Sequence, residues 1–310
     1  VTSDNNAKTQ KEAIMQRSLI EPMVLSIQSH VALGKVGNRA ATFALERLGV
    51  EVMAVNTVQF SNHTGYPSFG GDAFSADHLK RLFGALTQRQ EWAKIHAILT
   101  GYMGNAENAQ AVLEEALLKK PEGIPYVCDP VLGDVGRGIF VPESLVRYTR
   151  ECLVPQATCI TPNHFEFELL VEQKVRTLEQ AQSLCRHHPL LKGKSVILKS
   201  FLYEGIAEER IATYIYDAST QEDACFETER IRFTIPPNGI GDLFAALFLG
   251  YSLRGCSALK ACDHAVQAVH KVLNDTQANG ARELRIIQNQ HELDSPFQGW
   301  QPWTHSPNDV

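Results

Sequence analysis

The sequence predicts a three-layer α/β/α fold: a mostly parallel central sheet, helices on both faces, and antiparallel strands at the edge. Three observations predict it. Apolar runs of strand length alternate with stretches whose apolar residues recur at helical spacing, from Met23 to Leu273. Two neighbouring runs, 211–216 and 225–231, alternate in the manner of antiparallel strands. The polar segments richest in Gly, Asp, Asn and Thr tend to follow apolar strands, and in parallel sheets ligands bind at those carboxyl ends.

The elements follow in order. Residues 23–27 are a first strand, and Gly34 to Gly37 make a loop. Asn38 caps a helix to Leu48, with Ala41, Ala44, Leu45 and Leu48 on one face. Gly49 ends it and 50–58 returns as a strand. Ser75 caps a helix to about residue 85; 95–99 is a short apolar run and 105–118 is amphipathic. Strands at 124–128 and 158–160 precede helices at 163–171 and 178–187. A buried strand at 195–198, the alternating pair, and helices at 243–253 and 258–273 complete the body. One domain is expected over 23–295. It follows an extension, 1–22, with a helix around 11–20. It precedes a Pro-bearing tail, 296–310, whose Trp300 and Trp303 can pack back on the body.

Composition narrows the function classes. The formal charge is −6, from 35 acids and 29 bases, so no basic footprint for nucleic acid is expected. Seven scattered cysteines without a C-x-x-C argue against a disulfide framework or a zinc site and for a reducing cytoplasm. No apolar run approaches ~20 residues, and 1–21 lacks the apolar core of a signal peptide, so no membrane partner is expected. Gly193-Lys194-Ser195 imitates the end of a P-loop, but position 188 is His where that motif needs Gly.

The strongest chemical signal is Pro236-Pro237-Asn238-Gly239-Ile240-Gly241-Asp242 ahead of an apolar helix. Glycines let the backbone turn sharply and bring N–H groups close to a ligand. A helix start offers unpaired donors and a positive dipole end to an anion. Asp242 stands beside that site, which suits phosphoryl transfer to an alcohol whose proton the carboxylate accepts. Alone, the motif reads more simply as a turn with a cap. It has company. Asp129 in Cys128-Asp129-Pro130-Val131 ends an apolar strand, placed for a cation or a phosphate-bound metal. In Thr161-Pro162-Asn163-His164-Phe165-Glu166 the Asn163–Glu166 spacing suits a hydrated Mg²⁺, although taken alone the motif favours a capping box. Ser26-Ile27-Gln28-Ser29-His30 and the stretch 56–66 offer hydroxyls and amides for the edge of a small polar ring.

Together with Gly37-Asn38-Arg39-Ala40-Ala41 and Thr100-Gly101-Tyr102, these segments resemble, in order and spacing, the ribokinase superfamily and within it the pyridoxal kinases, over about 23–293. The resemblance implies a ribokinase-like fold and transfer of phosphate from ATP to the 5′-hydroxymethyl group of pyridoxal, with pyridoxine and pyridoxamine as further acceptors. It implies Asp242 as general base and Gly239, Ile240 and Gly241 as the anion hole; many members carry Thr where Ile240 stands. It implies Ser29, Thr64, Gly65 and Tyr102, with Asp242, on the vitamer. Asp129, Thr161, Asn163, Glu166, Lys199 and Arg230 fall on the nucleotide side, with Asp129, Asn163 and Glu166 serving Mg²⁺ partly through water. Lys199 matches one bacterial branch and would approach the phosphates as a mobile point charge. A monovalent cation, K⁺ or Na⁺, near Asp129 and Thr161, a homodimer and a cytoplasmic location are family expectations. The alternatives are a hydroxymethylpyrimidine kinase and a pyridoxal or pyridoxal-phosphate carrier with weak turnover. A thiol at Cys128 can add to an aldehyde, although a buried strand cysteine is the simpler reading.

Overall fold

The computed structural model describes residues 22–294, so the expected helix at 11–20 and the packing of Trp300 and Trp303 lie outside the described residues. In chain order the elements are β1 (Met23–Val31), α1 (Asn38–Arg47), β2 (Glu51–Phe60), β3 (Gly71–Ala73), α2 (Ala76–Gln88), β4 (Ala97–Thr100) and α3 (Ala106–Val112). There follow β5 (Tyr126–Cys128), β6 (Gly133–Asp134), β7 (Gly138–Ile139), α4 (Glu143–Tyr148), α5 (Val154–Gln156), β8 (Cys159–Ile160), α6 (His164–Val171) and α7 (Leu178–His187). The last are β9 (Ser195–Phe201), β10 (Arg210–Asp217), β11 (Glu222–Glu229), α8 (Ile240–Leu253), α9 (Ala258–Ala278) and α10 (Gln290–Asp294).

Among the described residues, nine strands share one sheet in the order β11-β10-β9-β8-β5-β4-β1-β2-β3. The six strands from β9 to β2 pair in parallel; β10 and β11 add an antiparallel edge, as the alternating pattern at 211–231 predicts, and β3, not expected from the sequence, adds the other. Side chains of period two divide the core into two layers. Leu25, Ile27, Ile98, Val196 and Leu198 face the layer of Phe83 and Phe167. Val24, Leu99 and Ile197 face the layer of Leu45, Leu247 and Val272.

Helix α8 is apolar around nearly its whole circumference because it is wedged between α1, α9 and the sheet. Leu243 through Tyr251 are all buried, and each large side chain there stabilises the fold by about 1.5–3 kcal/mol. Its register against α1 is tight: a Cβ on Gly250 would sit 2.5 Å from Leu48 Cδ1.

Several local expectations change. Asn38 is not the cap of α1; Gly37, at φ 52°, holds that position. Asn38 is instead buried, accepting from Ser26 Oγ (2.8 Å) and donating to Val55 O (3.1 Å) and Asn56 Oδ1 (2.8 Å). It ties β1 to β2 where both approach the site. β9 runs to Phe201, so Lys199 lies within the strand, not after it. Ser75, Asn105, Asn163 and Thr177 cap their helices through side-chain oxygens, the last two in complete capping boxes.

Candidate active site

The parallel strands end on one side in a cleft of about 1040 Å³. Ser29 at the end of β1, Tyr102 after β4, Asp129 after β5, Asn163 and Glu166 after β8, and Lys199 in β9 all line it. Thr64, Gly65, Arg230 and the turn Gly239–Ile240–Gly241–Asp242 line it too. Thr161 does not: it is fully buried behind Asp129, to which its hydroxyl donates. One cleft therefore gathers segments 213 positions apart, from Ser29 to Asp242 (242 − 29).

The centre is the start of α8. Gly239 caps the helix in the left-handed region, at φ 91°. A Cβ there would lie 1.8 Å from the carbonyl oxygen of Lys35, so only glycine lets the two loops touch. Helix residues Ile240, Gly241 and Asp242 then hold orphan amides at a positive dipole end, the physical ingredients of an anion site. The Asp242 carboxylate Oδ2 accepts from Gly37 N–H at 2.8 Å. Burial, helped by the nearby charge of Asp129, pushes its carboxyl up to about 6, against the opposing pull of Gly37 N–H and Lys199. A base with that affinity is largely ionised at neutral pH and still takes up a proton readily.

Next to this turn lies a buried ion pair. Lys199 Nζ sits 2.7 Å from Asp129 Oδ1, and Thr161 Oγ1 donates to the same oxygen at 2.8 Å. A Cβ on Gly241 would come 3.1 Å from the ammonium and 3.4 Å from Asp129 Oδ2, so that glycine lets the helix start approach the pair. Lys199 is thus pinned, not the mobile charge expected from the sequence.

Asn163 and Glu166 also differ from the Mg²⁺ expectation. Asn163 Oδ1 accepts from Glu166 N–H and its Nδ2 donates to Gly133 O. Glu166 accepts from Asn163 N–H and from Leu132 N–H, both at 2.9 Å. The asparagine side chain is engaged on both of its ends and orients Glu166. The pair staples the loop after Asp129 onto α6. Burial first, then the Asp129 charge, raises the Glu166 carboxyl above the ordinary range.

Cys128 is the buried strand cysteine of the simpler reading. It is 1% exposed, belongs to the core under α3 and α5, and does not line the cleft. Burial pushes its thiol up to about 11, which removes the nucleophilic thiolate.

Some cleft residues escaped the sequence. The hairpin β6–β7 carries Arg137, whose Nη1 donates to Asn238 Oδ1 at 3.2 Å across the cleft mouth. Its two-residue strands give no periodic signal. Val131, in the loop after β5, and Ser200, near the end of β9, adopt left-handed φ of 49° and 53°, a rare state for such residues that marks constrained site backbone. On the far side, Val266, Val269 and Leu273 of α9 give the cleft an apolar wall beside Arg230.

A family model described as phosphomethylpyrimidine kinase matches residues 44–286. The pyridoxal kinase PdxY of Rubrobacter xylanophilus is 38% identical over 276 residues, covering 88% of this chain and 94% of that protein. The chain belongs to the pyridoxal kinase family. The pyridoxal kinase of Bos taurus is 37% identical, over 89% of this chain and 96% of that one. The solved pyridoxal kinase of Leishmania donovani in complex with ADP and pyridoxine superposes with a TM-score of 0.77 at 28% identity, over 88% and 96% of the two chains. The ribokinase-like architecture shared by pyridoxal kinases is thus the architecture of this chain. Among the described residues no helix is long and apolar enough to cross a membrane.

Proposed function

We propose that this chain transfers the terminal phosphoryl group of ATP to the 5′-hydroxymethyl group of pyridoxal and related vitamers. The observation that carries this reading is Asp242: a half-buried carboxylate in the first turn of α8, beside orphan amides, one glycine away from a Lys–Asp pair. The acceptor hydroxyl lies against Asp242, with the vitamer ring among Ser29, Tyr102 and the loop Thr64–Gly65. The nucleotide extends past Lys199 toward Arg230 and the apolar wall of α9. In the step, the hydroxyl oxygen bonds to the γ-phosphorus as the bond to the bridging oxygen breaks. The hydroxyl proton goes to Asp242 and ADP leaves. Little covalent work falls to the protein, so positioning and charge stabilisation dominate. The amides at Gly239–Gly241 supply the second, about 3 kcal/mol per donor in preorganised sites.

Asp129, Glu166 and Asp242 place three carboxylates near a single ammonium, Lys199. That surplus of negative charge fits a divalent cation held through water and phosphate oxygens, in the manner of Mg²⁺, which takes few protein ligands. Asp129 and Glu166 are the residues to hold it, and it would neutralise charge on the transferring group. At the place the resemblance gives a monovalent cation, Asp129 Oδ1 already receives Thr161 and Lys199. Oδ2 of the same carboxylate is the side-chain oxygen left there for a cation. The family likeness supports a homodimer, checked by light scattering on the purified chain.

A second reading, phosphorylation of hydroxymethylpyrimidine, is favoured by the description of the matching family model. Measuring ADP release with pyridoxal, pyridoxine, pyridoxamine and hydroxymethylpyrimidine separates the two. The expected result is the highest kcat/KM on a B6 vitamer; a preference for the pyrimidine overturns the proposal, and no turnover on any favours a carrier.

Gly239→Ala tests the anion turn. Its Cβ must enter the space of Lys35 O at a φ strained for alanine. The expected result is a kcat lowered about 10²-fold or more, with a lower melting temperature. Near-normal kcat would exclude the turn from the transition state.

A further inference from the structure

Between α9 and α10, Leu284 and Ile286 are anchored in the core, and the residues just before them reach across the molecule. Glu283 Oε2 accepts from Lys35 N–H at 3.1 Å, and Glu283 Oε1 accepts from the hydroxyl of Tyr66. The approach is close: a Cβ on Gly34 would lie 2.8 Å from Glu283 Oε2, and Gly34 sits at φ 114°. The Arg282 guanidinium lies 4.0 Å from the Tyr66 ring centroid, and its Nη2 donates to Gly65 O at 3.3 Å. Both loops grasped here belong to the site. Thr64 and Gly65 line the cleft. The turn at Lys35 runs under Gly239 and, two residues on, presents the Gly37 N–H that Asp242 accepts.

We infer that Arg282 and Glu283 are positioning residues, clamping the loop 63–66 and the turn 34–37 so that an acceptor hydroxyl meets Asp242. Neither touches the reacting atoms. Glu283 is the shared acceptor for the two loops, and Arg282 closes over the Tyr66 ring through a cation–π contact. A clamp of this kind acts on the acceptor side and leaves the nucleotide side alone. Lys199, Asp129 and the wall of α9 are held by other elements. A loss of about 1 Å in placement is enough to reduce turnover about 10²-fold.

The inference rests on the B6-vitamer reading. Two variants of the full chain test it, with kinetics in pyridoxal and in ATP and a thermal melt for each. Glu283→Ala is expected to lower kcat/KM for pyridoxal about 10²-fold, with KM for ATP within about twofold of wild type. Tyr66→Phe keeps the ring under Arg282 and loses only the hydroxyl. It is expected to raise KM for pyridoxal about fivefold, the size of one hydrogen bond. The double variant is expected to be no worse than Glu283→Ala alone, since the two groups share one interaction. Variants within twofold of wild type, additive losses in the double variant, or equal losses for pyridoxal and ATP with a collapsed melt would each overturn the clamp. A wild-type chain that does not phosphorylate pyridoxal overturns the vitamer reading instead, so the two failures are distinguishable.

Discussion

Asp242→Asn is expected to lower kcat about 10³-fold while ATP binding persists. The amide cannot take the hydroxyl proton, yet it can still accept from Gly37 N–H, so the turn keeps its shape. Wild-type kcat/KM is expected to fall about tenfold per pH unit below about 6, where the free enzyme's Asp242 becomes protonated, and to flatten above. The same shift makes a stability statement. The folded carboxyl binds its proton more tightly than its ordinary value of 3.8, so it favours the fold fully below about pH 4 and loses that contribution as pH rises through about 6. At pH 8 the half-buried carboxylate carries a desolvation cost that a neutral amide avoids, at most about 3 kcal/mol and reduced by solvent screening. Asp242→Asn is therefore expected to melt a few degrees higher at pH 8, with the gain shrinking toward pH 4. A variant that keeps near-normal turnover would remove Asp242 as the base. One that melts lower at pH 8 would refute the burial argument.

The site is legible from the sequence in its outline and not in its wiring, because its motifs are local and the partners of its residues are not. A glycine turn before an apolar helix, an acid after a strand, and Asn-x-x-Glu are local patterns, and each lies where strand–helix alternation puts ligands. The cleft gathers them as that alternation requires. The partners of those residues are another matter. Lys199 looks like a free cation in sequence because Asp129 lies 70 residues away. Asn163 can cap or ligate at the same spacing, and only Gly133 O, 30 residues away, settles how its amide is used. Gly37 precedes a plausible cap, Asn38, and takes its place because Asn38 is drawn into the contact between β1 and β2. The hairpin β6–β7 has strands too short to show a period, and the latch at Glu283 joins positions 217 and 248 residues apart. Local propensity carries no trace of such pairings; they follow from the order of strands in the sheet.

Lys199→Met is expected to be the most damaging substitution away from the base. Methionine fills much of the aliphatic volume but leaves Asp129 buried, 3% exposed, with the neutral Thr161 hydroxyl still donating to it and no cation to balance its charge. Breaking one side of such a pair typically costs about 3–5 kcal/mol. The loss also reaches the base. Lys199 holds down the proton affinities of both Asp242 and Glu166, so its removal moves the acid limb of kcat/KM above about pH 6. With the ammonium gone from beside Gly241, turnover is expected to fall about 10²–10³-fold even at high pH, where Asp242 is ionised. The double variant Asp129→Asn/Lys199→Met separates the causes. Removing both charges returns most of the stability, because no unpaired carboxylate stays buried. It does not return the rate, because the positive charge near the transferring group is still missing. Recovery of both would make the pair a structural brace only. Recovery of stability alone assigns the pair to the chemistry, Lys199 through its charge and Asp129 through holding that charge or the divalent cation.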